Sequence, residues 1–307
     1  MDVSKEEKKQ AAASSDAATA GVGIERARRS EWSRGWHRFK RYKPALIGLA
    51  FLVILAILAL VPGLFAPYPP NLAKPELLGG APTWSHPLGY DEIGRDELSR
   101  IIYGTRVALI VAILATAIAV SIGVIIGSAA GYFGGWIDSV LSRIVDTIMA
   151  FPTLALLIAL VAVLGPSLKT TIVVIGLTVW AAYARVARGD VLSLRERDFI
   201  VAARAVGAND VRIILRHIVP NIVGPIIVLS TLAVGGIIIL EAALSFLGLG
   251  VQPPTADWGT MLSSARAYIQ IYPHMAIAPG IMISLTVLAF NLIGDGLRDA
   301  LDPRGRD

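Results

Sequence analysis

The run VALIVAILATAIAVSIGVIIGSAA, residues 107–130, contains no charged side chain and decides the fold class. A helix needs about 20 apolar residues to cross the hydrocarbon core of a bilayer, and this run exceeds that length. The whole chain of 307 residues is 55% apolar, with a mean hydropathy of +0.65. Soluble domains contain about 45–50% apolar residues. The sequence therefore predicts an all-α integral membrane protein.

Other apolar runs flank this one on both sides. Residues 1–31, which precede all of these runs, are polar and rich in Ala and Ser, which predicts a disordered tail. The runs predict six transmembrane helices at 45–66, 107–130, 140–164, 171–187, 222–247 and 276–294. The predicted division is a disordered tail 1–31, an interfacial helix 32–43, a first transmembrane helix 44–66, an extracytoplasmic loop 67–106, a five-helix core 107–297 and a tail 298–307.

Lysine and arginine are unevenly distributed between the loops. They are frequent before residue 44 and in the loop 188–221, whereas the loop after the fifth run has only Arg266. Loops rich in these residues stay on the cytoplasmic side of a membrane. Both termini and the loop 188–221 are therefore predicted to face the cytoplasm.

The stretch WSRGWHRFKRYK, residues 32–43, precedes the first apolar run. Trp32, Trp36 and Phe39 recur at i, i+4 and i+7, with most basic residues elsewhere, which is typical of a helix lying in the membrane interface. A plain basic flank is the alternative. The net charge of the chain, +5, results from basic flanks of this kind.

The chain contains no cysteine. This excludes disulfides, Cys-type zinc sites and iron–sulfur ligation by cysteine.

Residues 198–221, DFIVAARAVGANDVRIILRHIVPN, lie between the fourth and fifth runs. Gly207 is expected to end one helix and Asn209 to cap the next. The small residues around Gly207 would let another protein approach closely, although packing on the chain's own bundle is the alternative. The spacing i, i+3, i+4, i+7 occurs twice and predicts a bent pair of amphipathic helices, with stripes Phe199, Ala202, Ala203, Val206 and Val211, Ile214, Leu215, Ile218.

This segment resembles the signature loop of importer permeases of the ATP-binding-cassette (ABC) superfamily. The match consists of Ala202, Ala203, Gly207, Val219 and Pro220. The chain departs from the pattern at Val201, which replaces glutamate, and at His217, which replaces isoleucine. Four further stretches resemble the C-type subunit of dipeptide and oligopeptide permeases: HPLGYDEIGRDELSRIIYGTR (86–106), GYFGGWID (131–138), ALSFLGLGVQPPTADWGTML (243–262) and FNLIGDGLRDALDP (290–303).

The resemblance implies a permease that forms half of a path for di- or oligopeptides and works by alternating access. It implies a second homologous permease, two ABC ATPase subunits and an extracytoplasmic peptide-binding protein. Those ATPases would bind ATP and Mg, since this chain lacks G-x-x-x-x-G-K-[ST] and is expected to have no catalytic residue. Related permeases carry nickel or other solutes. The residues implied to couple to an ATPase are Phe199, Ala202, Ala203, Arg204, Gly207, Ala208, Asn209 and Asp210, with Pro220 as the hinge to the fifth span.

Charged and aromatic residues elsewhere suggest further sites. Glu241 lies within the fifth run, where a charge costs about 2.5–3.5 kcal/mol on insertion scales. It is expected to line the peptide path, to pair with the partner permease, or to lie near the outer interface. Asp91, Glu92 and Trp258 are candidate contacts for the binding protein, and no metal site is expected.

A proton-coupled secondary transporter of small solutes is the main alternative. Six spans and an intramembrane Glu241 permit it, but the sequence has no chain of buried ionisable groups for a proton relay. A membrane scaffold without transport would leave Glu241 unexplained.

Overall fold

The computed structural model describes Trp36 and residues 38–301, so the predicted tail 1–31 and residues 302–307 lie outside the described residues. An isolated bridge between Tyr90 and Asp96 is the sole β pairing among the described residues. The helices are α1 Lys43–Leu60, α2 Pro62–Phe65, α3 Glu97–Phe133, α4 Gly135–Ala150, α5 Thr153–Leu164, α6 Leu168–Leu194, α7 Asp198–Ala205, α8 Asp210–Ile213, α9 Val219–Phe246, α10 Trp258–Ala265 and α11 His274–Leu301.

Five helices are long and apolar enough to span a membrane, namely α1, α3, α6, the continuous helix from Asp210 to Phe246, and α11. The pair α4 and α5 makes a sixth candidate if it is counted as one span with a 90° bend. The predicted span 140–164 is therefore present as two helices with a bend between them, a bend that the prediction did not include. Pro152 has no backbone N–H and disfavours helical geometry in the residue before it. Phe151 accordingly has an extended ψ of 140°.

Helix α3 begins at Glu97, well before the predicted start at 107, so the end of the predicted loop 67–106 is helical. Asp96 caps it by accepting a hydrogen bond from the backbone N–H of Ser99, at 2.8 Å. With 37 residues α3 is about 55 Å long, against about 30 Å for the hydrocarbon core. Its ends therefore reach beyond the core and connect the two ends of the bundle.

Helices α3 and α6 form the closest-packed pair, along a row of glycines that we call the glycine seam: Gly123, Gly127 and Gly131. A Cβ added at Gly123 would lie 2.8 Å from the carbonyl oxygen of Trp180. One added at Gly131 would lie 2.9 Å from that of Arg188. Small residues let two helix backbones approach this closely.

The segment before α1 packs on α11. Phe39 is 4% exposed and lies with Ala45, Ile293 and Ala300 in one apolar cluster. Gly296 provides the space, because a Cβ there would lie 3.1 Å from the Phe39 ring. The predicted stripe places Phe39 in the membrane interface, and this is wrong because Phe39 packs on α11. Trp32, another member of the stripe, lies outside the described residues.

Candidate functional site

Residues 198–213, which we call the elbow, consist of α7, a tight turn and α8. Gly207 has a φ of 83°, a conformation that glycine adopts at little cost, and its N–H donates to the Arg204 carbonyl at 2.9 Å. Asn209 Oδ1 accepts a hydrogen bond from the Arg212 N–H at 2.8 Å and caps α8. The predicted bent helix pair, broken at Gly207 and capped at Asn209, is confirmed.

One side of the elbow packs on the bundle. Ile200 and Ala203 are buried, together with Ile213 of α8, against Tyr132 and Val191. The half-buried Ala208 packs on the same cluster. Of the predicted stripe, Ala203 packs on the bundle and Phe199, Ala202 and Val206 do not, because the positions of α3 and α6 decide which side is covered.

A second apolar side of the elbow is left uncovered by the described residues, and we call it the outward face. Phe199 is 43% exposed and Val206 85% exposed, and Ala202 and Gly207 are exposed beside them. The face continues past α8 at Val211 and Leu215, which are 63% and 64% exposed. Both belong to the second predicted stripe, whose remaining members Ile214 and Ile218 turn inward.

Tyr132, near the end of α3, holds both halves of the elbow. Its hydroxyl donates to Asp210 Oδ1 at 2.7 Å. The Arg204 guanidinium lies 5.0 Å from the centre of its ring, within the range of a cation–π contact. Arg204 and Asp210 therefore fix the elbow to α3, and neither forms part of the outward face.

The link from the elbow to α9 is a π-helical turn, Ile214–Ile218. Pro220 follows it and cannot donate to the carbonyl of Arg216 four residues earlier. In membrane helices a local π-helical adjustment can satisfy the backbone groups that a proline leaves without a partner. The helix nevertheless continues from Asp210 to Phe246, so Pro220 lies inside a continuous element and not at a break.

Glu241 is enclosed by its own chain. It is 1% exposed, and the Ser245 hydroxyl donates to its Oε1 at 2.8 Å. The carboxyl of Asp257, which caps α10, also interacts with it, and burial raises the pKa of Asp257 above its ordinary value. The structure therefore places Glu241 in the bundle interior, where an ionisable residue within a span is expected to face, and its role in the peptide path stays a prediction.

The predicted contacts for a binding protein lie at the opposite end of the bundle from the elbow. Trp258 is 1% exposed and donates from Nε1 to the Ile101 carbonyl at 3.0 Å, so this prediction is wrong: Trp258 is a core residue. Asp91 is also buried, where it forms an ion pair with Arg95. Glu92 is partly exposed and pairs with Arg95 at 2.7 Å.

Sequence reasoning missed Tyr132, Ile200 and Glu97. Tyr132 is an isolated aromatic residue at the end of an apolar run, and nothing in the pattern signals its contacts with a segment far along the chain.

Within the described residues, no group of three or more His, Cys, Asp or Glu side chains could hold a metal ion. His86 instead contacts Asp96 Oδ1 through its Nδ1, at 2.7 Å.

Comparison with known proteins identifies two matching families. The family described as binding-protein-dependent transport system inner membrane component matches residues 123–307. The N-terminal transmembrane domain of oligopeptide transport permease C matches residues 30–79. A crystal structure of an amino acid ABC transporter is 18% identical and covers 64% of this chain and 92% of its own at a TM-score of 0.49, a likeness too small to carry weight.

Two curated relatives extend over most of the chain. The glutathione transport system permease protein GsiD of Shigella flexneri serotype 5b is 45% identical over 90% of this chain and 91% of its own length. GsiD of Escherichia coli O6:K15:H31 is 44% identical with the same coverage. These similarities exclude the secondary-transporter alternative. The chain belongs to the binding-protein-dependent transport system inner membrane components, as an ABC transporter permease of the peptide-transport type.

Proposed function

We propose that this chain is one of two permease subunits in an ATP-driven importer of short peptides. The relatives at 44–45% identity are named for the transport of glutathione, which is a tripeptide. The N-terminal match is named for oligopeptide transport. Both names therefore favour a peptide over nickel or another solute.

The single observation that carries the mechanism is the outward face of the elbow. Apolar surface left in water costs about 25 cal/mol per Å², so a partner that covers this face gains free energy. The exposed Arg212 and Arg216 accompany it. The fitting partner is a protein with an apolar cleft rimmed by carboxylates, and we assign it to an ATPase subunit that binds ATP and Mg.

Movement would pass from the elbow into the membrane through one rigid element. The helix is continuous from Asp210 to Phe246, so a displacement of the elbow moves α9 with it. Alternating access would result if ATP binding closes the two ATPase subunits and draws the two permeases' elbows together. The remaining partners are a second homologous permease and an extracytoplasmic peptide-binding protein.

Replacement of Val206 by arginine tests this proposal. The side chain is 85% exposed, so the change leaves the fold of the chain intact while placing a charge in the proposed docking cleft. We expect the ATPase subunits to be lost on purification and ATP-dependent peptide uptake into proteoliposomes to fall at least tenfold, which is about 1.4 kcal/mol. Gly207→Trp is a weaker test, because the φ of 83° strains the backbone for any larger residue.

Trp84→Arg is the matched control. Trp84 is fully exposed at the opposite end of the bundle, and its replacement should leave the ATPase subunits bound. If the Val206→Arg complex retains its ATPase subunits and imports peptide at the rate of the original protein, the elbow is not the docking element.

A further inference from the structure

A cavity of about 180 Å³ lies at the end of the bundle opposite the elbow, between the start of α3, the loop at 91–95 and α10. Such a cavity is smaller than the roughly 300–1,000 Å³ of sites that enclose a drug-sized ligand. It is larger than the roughly 30 Å³ that one water molecule occupies in the liquid. The volume of the cavity therefore allows it to enclose one end of a small molecule. Its lining includes Glu97, Arg100, Thr260 and Ser264.

The charges around this cavity do not balance. Asp91 pairs with Arg95 and lies 3.3 Å from Arg100 Nε, while Glu92 pairs with Arg95 at 2.7 Å. Both guanidinium groups therefore have a carboxylate partner within 4.0 Å. Glu97 has no ion pair of this kind among the described residues, although the charges of Arg100 and Arg95 act on it from farther away. It is the carboxyl in the lining without a direct ion pair, and Arg100 Nε in the same lining has no hydrogen-bond partner.

Glu97 is also short of hydrogen bonds. Its side chain is 1% exposed, and Oε1 has no hydrogen-bond partner in the described part of the chain. A buried carboxylate without a hydrogen-bond partner is strongly unfavourable, so Glu97 in the lining of this cavity calls for a proton or a cation.

Two hydroxyl groups in the same lining complete a set of oxygen acceptors. Thr260 Oγ1 donates to the Asp257 carbonyl at 2.9 Å, which leaves its lone pairs free to accept. The Ser264 hydroxyl makes no hydrogen bond among the described residues. A protonated primary amine carries three N–H donors, and Glu97, Thr260 and Ser264 offer three oxygens of matching chemistry.

We infer that this cavity binds a primary ammonium group and that, in the working importer, this group is the N-terminal amine of a short peptide. The identification of this ammonium group as a peptide N-terminus rests on the proposed function. The cavity holds the terminus alone, because a tripeptide exceeds its volume. The site would thus favour peptides with a free amine independently of what the binding protein selects.

The test uses the complete transporter complex without its binding protein. Saturation-transfer NMR compares triglycine with N-acetyl-triglycine, and ammonium chloride and sodium chloride serve as competitors. We expect triglycine to bind and the acetylated peptide not to bind. Glu97→Gln should weaken triglycine binding about tenfold, and Ser264→Ala about threefold, since a charged hydrogen bond contributes more than a neutral one. Glu76→Gln, an exposed carboxyl in the same loop region, should change nothing.

The outcomes separate the sources of the cation. Displacement of triglycine by ammonium chloride but not by sodium chloride supports the inference. Equal displacement by both salts assigns the cavity to inorganic cations and overturns the peptide source. Equal triglycine binding by the original protein and by Glu97→Gln overturns the site altogether. ATP-dependent uptake of triglycine by the original complex is measured separately, and its absence counts against the proposed function alone.

Discussion

Tyr132 shows how much one side chain can determine about the elbow. Its hydroxyl reaches Asp210 on one side of Gly207, and its ring reaches Arg204 on the other. The glycine turn by itself leaves the two helices free to change their angle. The contacts of Tyr132 with both halves hold that angle and tie it to α3.

Tyr132→Phe should therefore loosen the elbow without removing its apolar packing. The lost hydrogen bond is expected to cost about 1 kcal/mol of stability, and the number of ATP molecules hydrolysed per imported peptide should rise. The control is Tyr103→Phe on the same helix, since the Tyr103 hydroxyl makes no hydrogen bond among the described residues. An unchanged ATP-to-peptide ratio in Tyr132→Phe would show that the contact is not needed for coupling.

At the scale of elements, the glycine seam sets the distance between α3 and α6. These two helices connect the elbow to the opposite end, so their separation positions both regions. A side chain at Gly127 would collide with the Ala184 backbone carbonyl, which has no way to move aside within a helix.

We expect Gly127→Val to push the two helices apart. Overpacking of this kind typically costs about 1–3 kcal/mol, which corresponds to a melting temperature lower by roughly 5 °C for the detergent-solubilised chain. The matched variant is Gly236→Val in α9, where nothing lies within 4 Å of an added Cβ and little change is expected. Equal melting temperatures for the two variants would contradict the role of the seam.

At the scale of the whole molecule, the distribution of basic residues predicts which end faces the cytoplasm. The chain has no cysteine, so single cysteines can be introduced and labelled without background. We expect a membrane-impermeant maleimide to label Trp84→Cys on intact spheroplasts. Glu196→Cys, whose site is 78% exposed just before the elbow, should react only after permeabilisation. The reverse pattern would overturn the proposed orientation.

The order of elements followed from the sequence because it depends on properties that are local along the chain. Apolar length indicated the membrane helices, glycine indicated the end of α7, and a side-chain amide indicated the cap of α8. The family resemblance rested on ordered motifs and required no knowledge of packing. The helix break at Phe151 is predictable from the sequence for the same reason, since Pro152 disfavours helical geometry in the residue before it.

Only the tertiary structure decided which side of each helix is covered and which charges meet. Ile200 instead of Phe199 faces the bundle because α3 and α6 lie on that side. Glu241 and Trp258 are internal because α9, α10 and α3 enclose them. The orphaned carboxyl of Glu97 became visible only when loop and helices closed a cavity around it. Burial and pairing depend on residues far apart in the chain, and periodicity within one segment carries no information about them.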